Sequence, residues 1–450
     1  MPELFELTVA ESARLIREGS LSPVALMESL LGRSERLEPS LKVWVTMDDK
    51  LALETARRRE RELEQEGPRG LLHGIPVGIK DIYYTQGMRT TCCSPIFEDF
   101  VPDYDATSVA LLKKAGAIIM GKTVTTQFAC GDPSPTRNPW NVEHTPGGSS
   151  SGSAVGVAAG VFPAALGSQT GGSVLRPASY NGIVGLKPTF GRISRYGVVP
   201  VAWSLDTLGT FTRSVEDAAL MLNVMAGWDA NDHSSSSEPV PDYTASIGSL
   251  SSPPRIGIVR PFFFERCDDE VKGRTIEAIE RLAEAGALVE DVDLSCDFDT
   301  VLSAQRVLMT VEGAVVHQKN FSLRPDDYAP NVRGVIEAGM VTPAVIYVQA
   351  QRVRRSLRRA MEDAARGFDV MVSPSTVTPA PRDLGTTGDP MFQAPWTTCG
   401  LPTITLPIGL SESGLPLGLQ IAAGPFDEEG LFAAASWCEG ILGLGLKPPV

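Results

Sequence analysis

Two clusters rich in glycine and serine lie near the centre of this 450-residue sequence, and a lysine precedes both. The clusters cover residues 147–153 and 170–173, while Lys80 follows the stretch Ile-Pro-Val-Gly-Ile at 75–79. Glycines before a serine let the backbone turn sharply, so that successive N–H groups can point at a developing oxyanion. A serine nucleophile also needs a base, and a lysine can supply one. The pattern therefore favours an acyl-transfer site.

A glycine- and serine-rich stretch is most often a flexible linker, but the neighbouring sequence argues against that interpretation here. Apolar runs of small residues surround both clusters, at 154–162, 164–166 and 183–186. Such runs are typical of buried elements. Because linkers do not alternate with buried segments, we expect both clusters to lie within the core.

The elements that must position these residues alternate between helix and strand. Thr8 and Glu11 have the spacing of a capping box, which predicts a helix ending near Gly19, and a strand at 75–79 delivers Lys80 at its end. Further strands are predicted at 43–46, 118–120, 255–259, 404–408 and 417–422, and helices at 51–65, 108–115, 214–226, 268–285, 303–366 and 428–442. This alternation predicts an α/β fold with helices on both faces of a sheet.

Charge and composition exclude several classes of protein. A net charge of −14 argues against nucleic acid and against an anionic membrane surface as partners. The sequence starts without a basic and apolar leader, so we expect a soluble, cytoplasmic protein. Its seven cysteines lack Cys-x-x-Cys spacing and its four histidines are not spaced as metal ligands, so neither a metal site nor a disulfide framework is indicated.

Together these motifs resemble those of the amidase signature family of serine hydrolases. Residues 147–152 match the family's Gly-Gly-Ser-Ser-x-Gly cluster, and Ser173 ends a Gly-x-x-x-Gly-Gly-Ser element 24 residues after Ser149. Late segments at 400–402 and 414–420 match as well. The resemblance implies a single α/β/α layered domain over 1–450 with a central mixed, twisted sheet. It also implies a catalytic core over 74–226, and residues 300–366 are expected to form a mostly helical insertion on the substrate side.

The resemblance also implies a role for each matched residue. Ser173 would be the nucleophile, Lys80 the general base, and Ser149 a bridging serine preceded by a cis peptide bond. An ammonium group cannot accept a proton, so Lys80 must be neutral at the working pH, which burial can arrange. The backbone N–H groups that match the family's oxyanion hole belong to Thr170, Gly171, Gly172 and Ser173. No metal or cofactor is implied.

Two departures from the family pattern concern the second cluster and the substrate. Gln169 and Leu175 stand where the commoner family element has Asp and Arg, and Arg176 is shifted by one position. We expect a neutral arrangement there that preserves catalysis. Gln127 replaces a carboxylate that the glutamine-using branch carries, which weakens a free amino acid as substrate.

The side chains expected to wall the substrate pocket are aromatic or neutral, which favours an uncharged and fairly apolar acyl or amine group. They are Thr125, Gln127, Phe128, Trp203, Phe392, Trp396 and Cys399.

Three functions remain open from the sequence. The first is hydrolysis of neutral or aryl amides, with carbamates (a urethanase activity) and esters as extensions, since a carbamate presents the same carbonyl. The second is a role like that of the A subunit of a glutamine-dependent amidotransferase. The third, a non-catalytic binding protein, is disfavoured because Lys80, Ser149 and Ser173 are all present. The expected partner is a small-molecule amide or carbamate, and a homodimer is left open.

Overall fold

The computed structural model describes residues 3–294, 296–443 and 445–450, so positions 1, 2, 295 and 444 of the predicted domain lie outside the described residues. Within these residues the chain forms one sheet of eleven strands. The strands are β1 (Trp44–Met47), β2 (Pro76–Lys80), β3 (Ile118–Thr123), β4 (Ala164–Gln169), β5 (Val184–Lys187), β6 (Thr207–Thr212), β7 (Arg255–Ile258), β8 (Leu288–Asp291), β9 (Val370–Pro374), β10 (Thr403–Leu410) and β11 (Pro416–Ala422).

The sheet is mixed, with the spatial order β1-β3-β2-β4-β6-β5-β10-β11-β9-β7-β8. Strand β2 pairs in parallel with β3 and β4, whereas β4 pairs antiparallel with β6. Strands β2, β4, β5, β6, β9 and β11 are buried at every position, so both faces of the central sheet are covered. The predicted α/β/α layered fold with a central mixed sheet is thereby confirmed.

Helices cover the sheet. The first of them begins at the predicted capping box, in which the side chains of Thr8 and Glu11 each bond the other residue's backbone N–H. The helices of the described residues are α1 (Val9–Arg17), α2 (Pro23–Leu41), α3 (Asp49–Glu66), α4 (Thr107–Lys114), α5 (Ser151–Ala158), α6 (Leu175–Asn181), α7 (Val215–Met225), α8 (Phe263–Arg266), α9 (Asp269–Glu284), α10 (Phe298–Leu323), α11 (Pro330–Val341), α12 (Ala344–Ala365), α13 (Ala394–Cys399) and α14 (Glu428–Leu442). Among them, none combines the length and the apolar composition that a membrane crossing requires.

The region predicted as helical at 303–366 consists of three helices, α10, α11 and α12. Pro330 is the first residue of α11, and Pro343 directly precedes α12. Proline is tolerated at a helix start because the N–H it lacks has no partner there. The prolines therefore divide a long helical pattern into a packed group of three.

Two neighbouring strands bring the site together. Since β2 and β4 are parallel, with Ile79 opposite Leu166, their carboxyl ends meet at the same edge of the sheet. Lys80 ends β2, and Gln169 ends β4 directly before the second glycine cluster. Helix α5 follows the first cluster and packs against both strands. This topology explains how segments 80, 149 and 170–173 converge.

Candidate active site

Lys80 is fully buried and makes two hydrogen bonds to serines. Its Nζ lies 2.7 Å from Ser149 Oγ and 2.9 Å from Ser168 Oγ. Burial lowers the pKa of Lys80 to about 7, while the negative charge of Asp206 acts in the opposite direction. A substantial fraction of the amine is therefore neutral near pH 7, so it can accept a proton.

The other serines of the first cluster hold the backbone in place. Ser150 Oγ bonds the backbone of Ser168 in β4, Ser151 Oγ donates to Gly147 O at 2.9 Å, and Ser153 Oγ donates to Leu166 O at 2.8 Å. Only Ser149 of this cluster contacts the lysine. The serines of this cluster thus comprise one hydroxyl bonded to the buried lysine and three that bond the backbone.

The turn that presents Ser149 depends on its two glycines. Gly147 has φ +78°, and a Cβ there would lie 2.9 Å from the Cα of Pro177. The peptide bond between Gly148 and Ser149 is cis. Arg176 Nη2 donates to Gly148 O at 2.6 Å and fixes the orientation of this peptide group.

Ser173 lies in a tight loop between β4 and α6. It is half-buried, and it shares a cavity of about 240 Å³ with Ser149. Among the described residues, none accepts a hydrogen bond from the backbone N–H of Gly171, Gly172 or Ser173. These N–H groups are free to bind an oxyanion beside Ser173.

Gln169 explains how the loop keeps its shape without the Asp and Arg of the commoner pattern. Its Oε1 accepts from the N–H groups of Val174 and Leu175 at 2.9 and 3.0 Å, and its Nε2 donates to Thr397 Oγ1 at 2.9 Å. A neutral amide therefore caps the start of α6. Leu175 is fully buried.

Asp206 is a further residue of the site for which we made no prediction. Its carboxylate accepts a hydrogen bond from Thr170 Oγ1 and two from the N–H groups of Val201 and Ala202. Burial raises the pKa of Asp206. The sequence signal was weak, because a single aspartate after Ser204 and Leu205 resembles an ordinary turn residue.

The residues predicted to wall the pocket lie outside the lining of the Ser173 cavity. Gln127 instead bonds Ser94, Asp327 O and Ala329 N, so its amide ties the start of α11 to the core. Phe128 packs on His317 and Tyr328 with ring centroids 4.5 and 5.5 Å away.

The other predicted wall residues serve in packing or at a different cavity. Trp396 is fully buried against Phe263, and Phe392 packs on the same ring. Cys399 is buried and its Sγ donates to Trp396 O, while Thr125 is almost fully buried. Trp203 lines a separate cavity of about 250 Å³. Phe128, Phe392 and Trp396 thus belong to the core, whereas Trp203 is partly exposed.

The observed walls of the Ser173 cavity differ from the expected set of residues. Besides the two serines and the loop 170–172, the lining includes a cationic side chain and residues from distant segments. They are Ala129, Cys130, Gly131, Arg176, Met309, Thr386, Thr387, Gly388 and Pro390. The predicted neutral, apolar pocket therefore differs from the cavity at one decisive position, Arg176. Among the described residues, no group of three or more His, Cys, Asp or Glu side chains is arranged to hold a metal ion.

Comparisons with known proteins identify the family. The family model described as Amidase matches residues 25–432. The chain is 38% identical to the A subunit of glutamyl-tRNA(Gln) amidotransferase from Geotalea daltonii, over 96% of each chain. It is also similar to the native peptide amidase of Stenotrophomonas maltophilia, with 30% identity, a TM-score of 0.87 and coverage of 99% and 98%.

A third similar protein is a solved structure from work on a vestigial protein complex and the origins of an s-triazine catabolic enzyme. It is 28% identical with a TM-score of 0.91, and the match covers 99% of this chain and 100% of that one. The expected resemblance is confirmed, and the chain belongs to the amidase family of enzymes that act on carbon–nitrogen bonds.

Proposed function

We propose that this protein hydrolyses amide C–N bonds through an acyl-enzyme formed at Ser173. The observation that carries the proposal is the buried amine of Lys80, 2.7 Å from Ser149 Oγ, beside a cavity that Ser149 and Ser173 share. A lysine held neutral by burial is a general base for a serine nucleophile. Carbamates and esters present a similar carbonyl and extend the substrate range.

The mechanism passes one proton along the three residues. Ser173 Oγ attacks the carbonyl carbon while its proton moves to Ser149 Oγ, and the proton of Ser149 moves to Lys80 Nζ. The N–H groups of the 171–173 loop bind the oxyanion, an interaction worth about 3 kcal/mol per donor. The C–N bond then breaks as the leaving amine takes the proton back through Ser149. Water, activated by the same relay, attacks the ester and releases the acid.

The experiment is a substrate panel with the isolated chain. An anilide, an aliphatic amide, a carbamate and an ester are offered in the presence of a chelator, and acid release is measured. A fluorophosphonate probe is added in parallel to wild type and to Ser173→Ala. We expect turnover of at least one amide, and labelling of wild type only. No labelling together with no turnover would overturn the proposal.

A second candidate is the glutamine-hydrolysing component of an amidotransferase. The relatives found by sequence favour it over a free-standing hydrolase, because the 38% identity extends over 96% of the chain. Gln127 bonds Asp327 O and Ala329 N, so its amide has a structural role, and there is no carboxylate at this position. This feature favours the hydrolase instead.

The two candidates differ in what the isolated chain can do. A hydrolase turns over its amide substrates alone, whereas an amidotransferase component delivers ammonia to an acceptor site on another chain. We therefore expect amide hydrolysis without added partner chains. Activity on glutamine only, and only when partner chains are added, would replace the hydrolase by the amidotransferase.

A further inference from the structure

Gln305 reaches from helix α10 to the backbone of the nucleophile loop, which comprises residues 170–173. Its Nε2 donates to Thr170 O at 3.1 Å, and the side chain is buried, with 7% exposed. Gln305 belongs to none of the sequence motifs and lies outside the lining of the Ser173 cavity. Its bond to the loop therefore comes from the packing of a segment 135 residues further along the chain.

The amide of Gln305 fixes the first peptide group of this loop. The peptide bond between Thr170 and Gly171 is trans, and a trans peptide group directs its C=O and its N–H in opposite directions. Because Gln305 bonds Thr170 O, the N–H of Gly171 points away from α10. Gly171 lines the cavity, and its N–H has no acceptor among the described residues.

Thr397 holds the next peptide group of the loop in the same way. Its Oγ1 donates to Gly171 O at 2.7 Å and accepts from Gln169 Nε2 at 2.9 Å. The N–H of Gly172 consequently points away from Thr397. Two consecutive carbonyl groups of the loop are thus each bonded to a side chain outside the cavity lining.

Helix α10 presents Gln305 from a well-packed position. Leu308, one turn further along the helix, is fully buried in a cluster with residues of the turn at 201–206. The same turn carries Asp206, which accepts a hydrogen bond from Thr170 Oγ1. Both α10 and the loop are therefore anchored to one turn, and a donor on a rigid element holds its partner more precisely than one on a mobile segment.

We propose that Gln305 is a positioning residue of the oxyanion hole, which directs the N–H of Gly171 at the oxyanion by holding the carbonyl of the same peptide group. The inference rests on the proposed function, and it adds a residue that acts on the reaction without touching the substrate. An oxyanion-hole donor contributes because it is oriented before the reaction starts, so a peptide group that can rotate loses part of that contribution. The alternative is that Gln305 only provides a buried carbonyl with a donor.

The test measures how fast a fluorophosphonate labels Ser173 in three variants. Ser173 Oγ displaces fluoride from phosphorus, and the phosphoryl oxygen takes the position of the oxyanion. Gln305→Leu and Gln305→Glu remove the donor, and the second keeps the shape of the side chain, whereas Gln305→Lys keeps a donor. All rates are taken at pH 9, above the pKa of Lys80 of about 7, so that Lys80 is neutral in every protein.

We expect the maximal labelling rate to fall by at least about 10-fold in Gln305→Leu and Gln305→Glu, since loss of a whole oxyanion-hole donor costs about 100-fold or more. Gln305→Lys should recover part of the rate. The fluorophosphonate concentration that gives half of the maximal rate should stay within about 2-fold of wild type, because the cavity wall is unchanged. Labelling of the Leu and Glu variants at the wild-type rate, or an equal loss in all three variants, would overturn the inference.

A control variant separates this role from a general loss of packing. Gln351→Leu removes a glutamine of α12 whose Nε2 bonds Tyr347 and Glu312, so it should be labelled at the wild-type rate. Urea unfolding of each variant shows whether its labelling rate merely follows its stability, which would also overturn the inference. Wild type that is neither labelled nor active on any amide would remove the proposed function, whereas equal labelling of wild type and the Gln305 variants removes the inference alone.

Discussion

The hydroxyl of Thr170 donates a 2.5 Å hydrogen bond to the carboxylate of Asp206. Thr170 begins the loop that carries Gly171, Gly172 and Ser173, so this bond anchors the nucleophile loop to the turn at 201–206. The charge of Asp206 also raises the pKa of Lys80, against the larger effect of burial. One carboxylate thus affects both the geometry of the loop and the basicity of the lysine.

Asp206→Asn should lower kcat and shift the pH profile. Losing a hydrogen bond to a charged group costs about 2 kcal/mol. When this whole cost is added to the activation free energy, because the loop is held less firmly, the rate falls roughly 30-fold. Removing the negative charge lowers the pKa of Lys80, so the acidic limb of the profile moves to lower pH. Steady-state rates between pH 5 and 10 measure both effects. An unchanged acidic limb would contradict the electrostatic role.

Ser173→Ala should abolish turnover and leave the fold intact. The rate should fall by about 10⁴-fold or more, as for other serine nucleophiles. The side chain is half-buried in the cavity wall, so its removal leaves no buried polar group unpaired. Circular dichroism and the melting temperature should match wild type. A near-normal rate would show that another residue is the nucleophile.

Activity should rise with pH through about 7 and then level off. Lys80 acts as a base only when neutral, and its pKa is about 7 in the folded protein. The neutral fraction increases as pH passes this value, so acid inactivates the enzyme reversibly. A rate maximum below pH 6, or a normal rate in Lys80→Met, would be incompatible with this role.

Lys80→Met should be inactive and more stable than wild type at pH 7. The pKa of Lys80 falls from 10.5 in the unfolded chain to about 7, which costs wild type about 4 kcal/mol of folding free energy near pH 7, less the two hydrogen bonds lost in the variant. Between pH 7 and 10.5 the unfolded lysine binds more protons than the folded one. Wild type therefore gains stability relative to the variant as pH rises. Urea unfolding at pH 7 and at pH 10 gives the free energies of unfolding of both proteins, whose difference should be smaller at pH 10.

Gln169→Leu should destabilise the nucleophile loop, whereas Gln169→Glu should largely preserve it. Leucine leaves the N–H groups of Val174 and Leu175 buried without an acceptor, at about 1–3 kcal/mol each. Glutamate keeps an acceptor for both but loses the donor to Thr397. Unfolding free energies and kcat should rank wild type, Glu and Leu in that order. Equal stability of the two variants would contradict the capping role.

Local motifs were the most informative part of the sequence. Their resemblance to the family pattern selected Lys80, Ser149 and Ser173, whose catalytic roles stay predictions, and the strand before Lys80 was predicted within one residue of the observed β2. The wall of the cavity was not predicted, because Met309 and the 386–390 segment reach it only through long-range packing. Three aromatic residues expected in the wall, Phe128, Phe392 and Trp396, instead fill the core. Asp206 and Ser168 became identifiable only through their partners in space.

Two parts of the chain with different roles line the cavity. Residues 149 and 170–173 carry the proposed reacting groups, whereas Met309 of α10 and the 386–390 segment line the wall from distant parts of the chain. Lys80 and Ser149 bond each other, and the second part reaches this centre through Thr387, whose Oγ1 accepts a hydrogen bond from Arg176. Met309 and Pro390 are therefore the wall positions at which new substrate preferences can evolve, or be engineered, on a constant reaction centre.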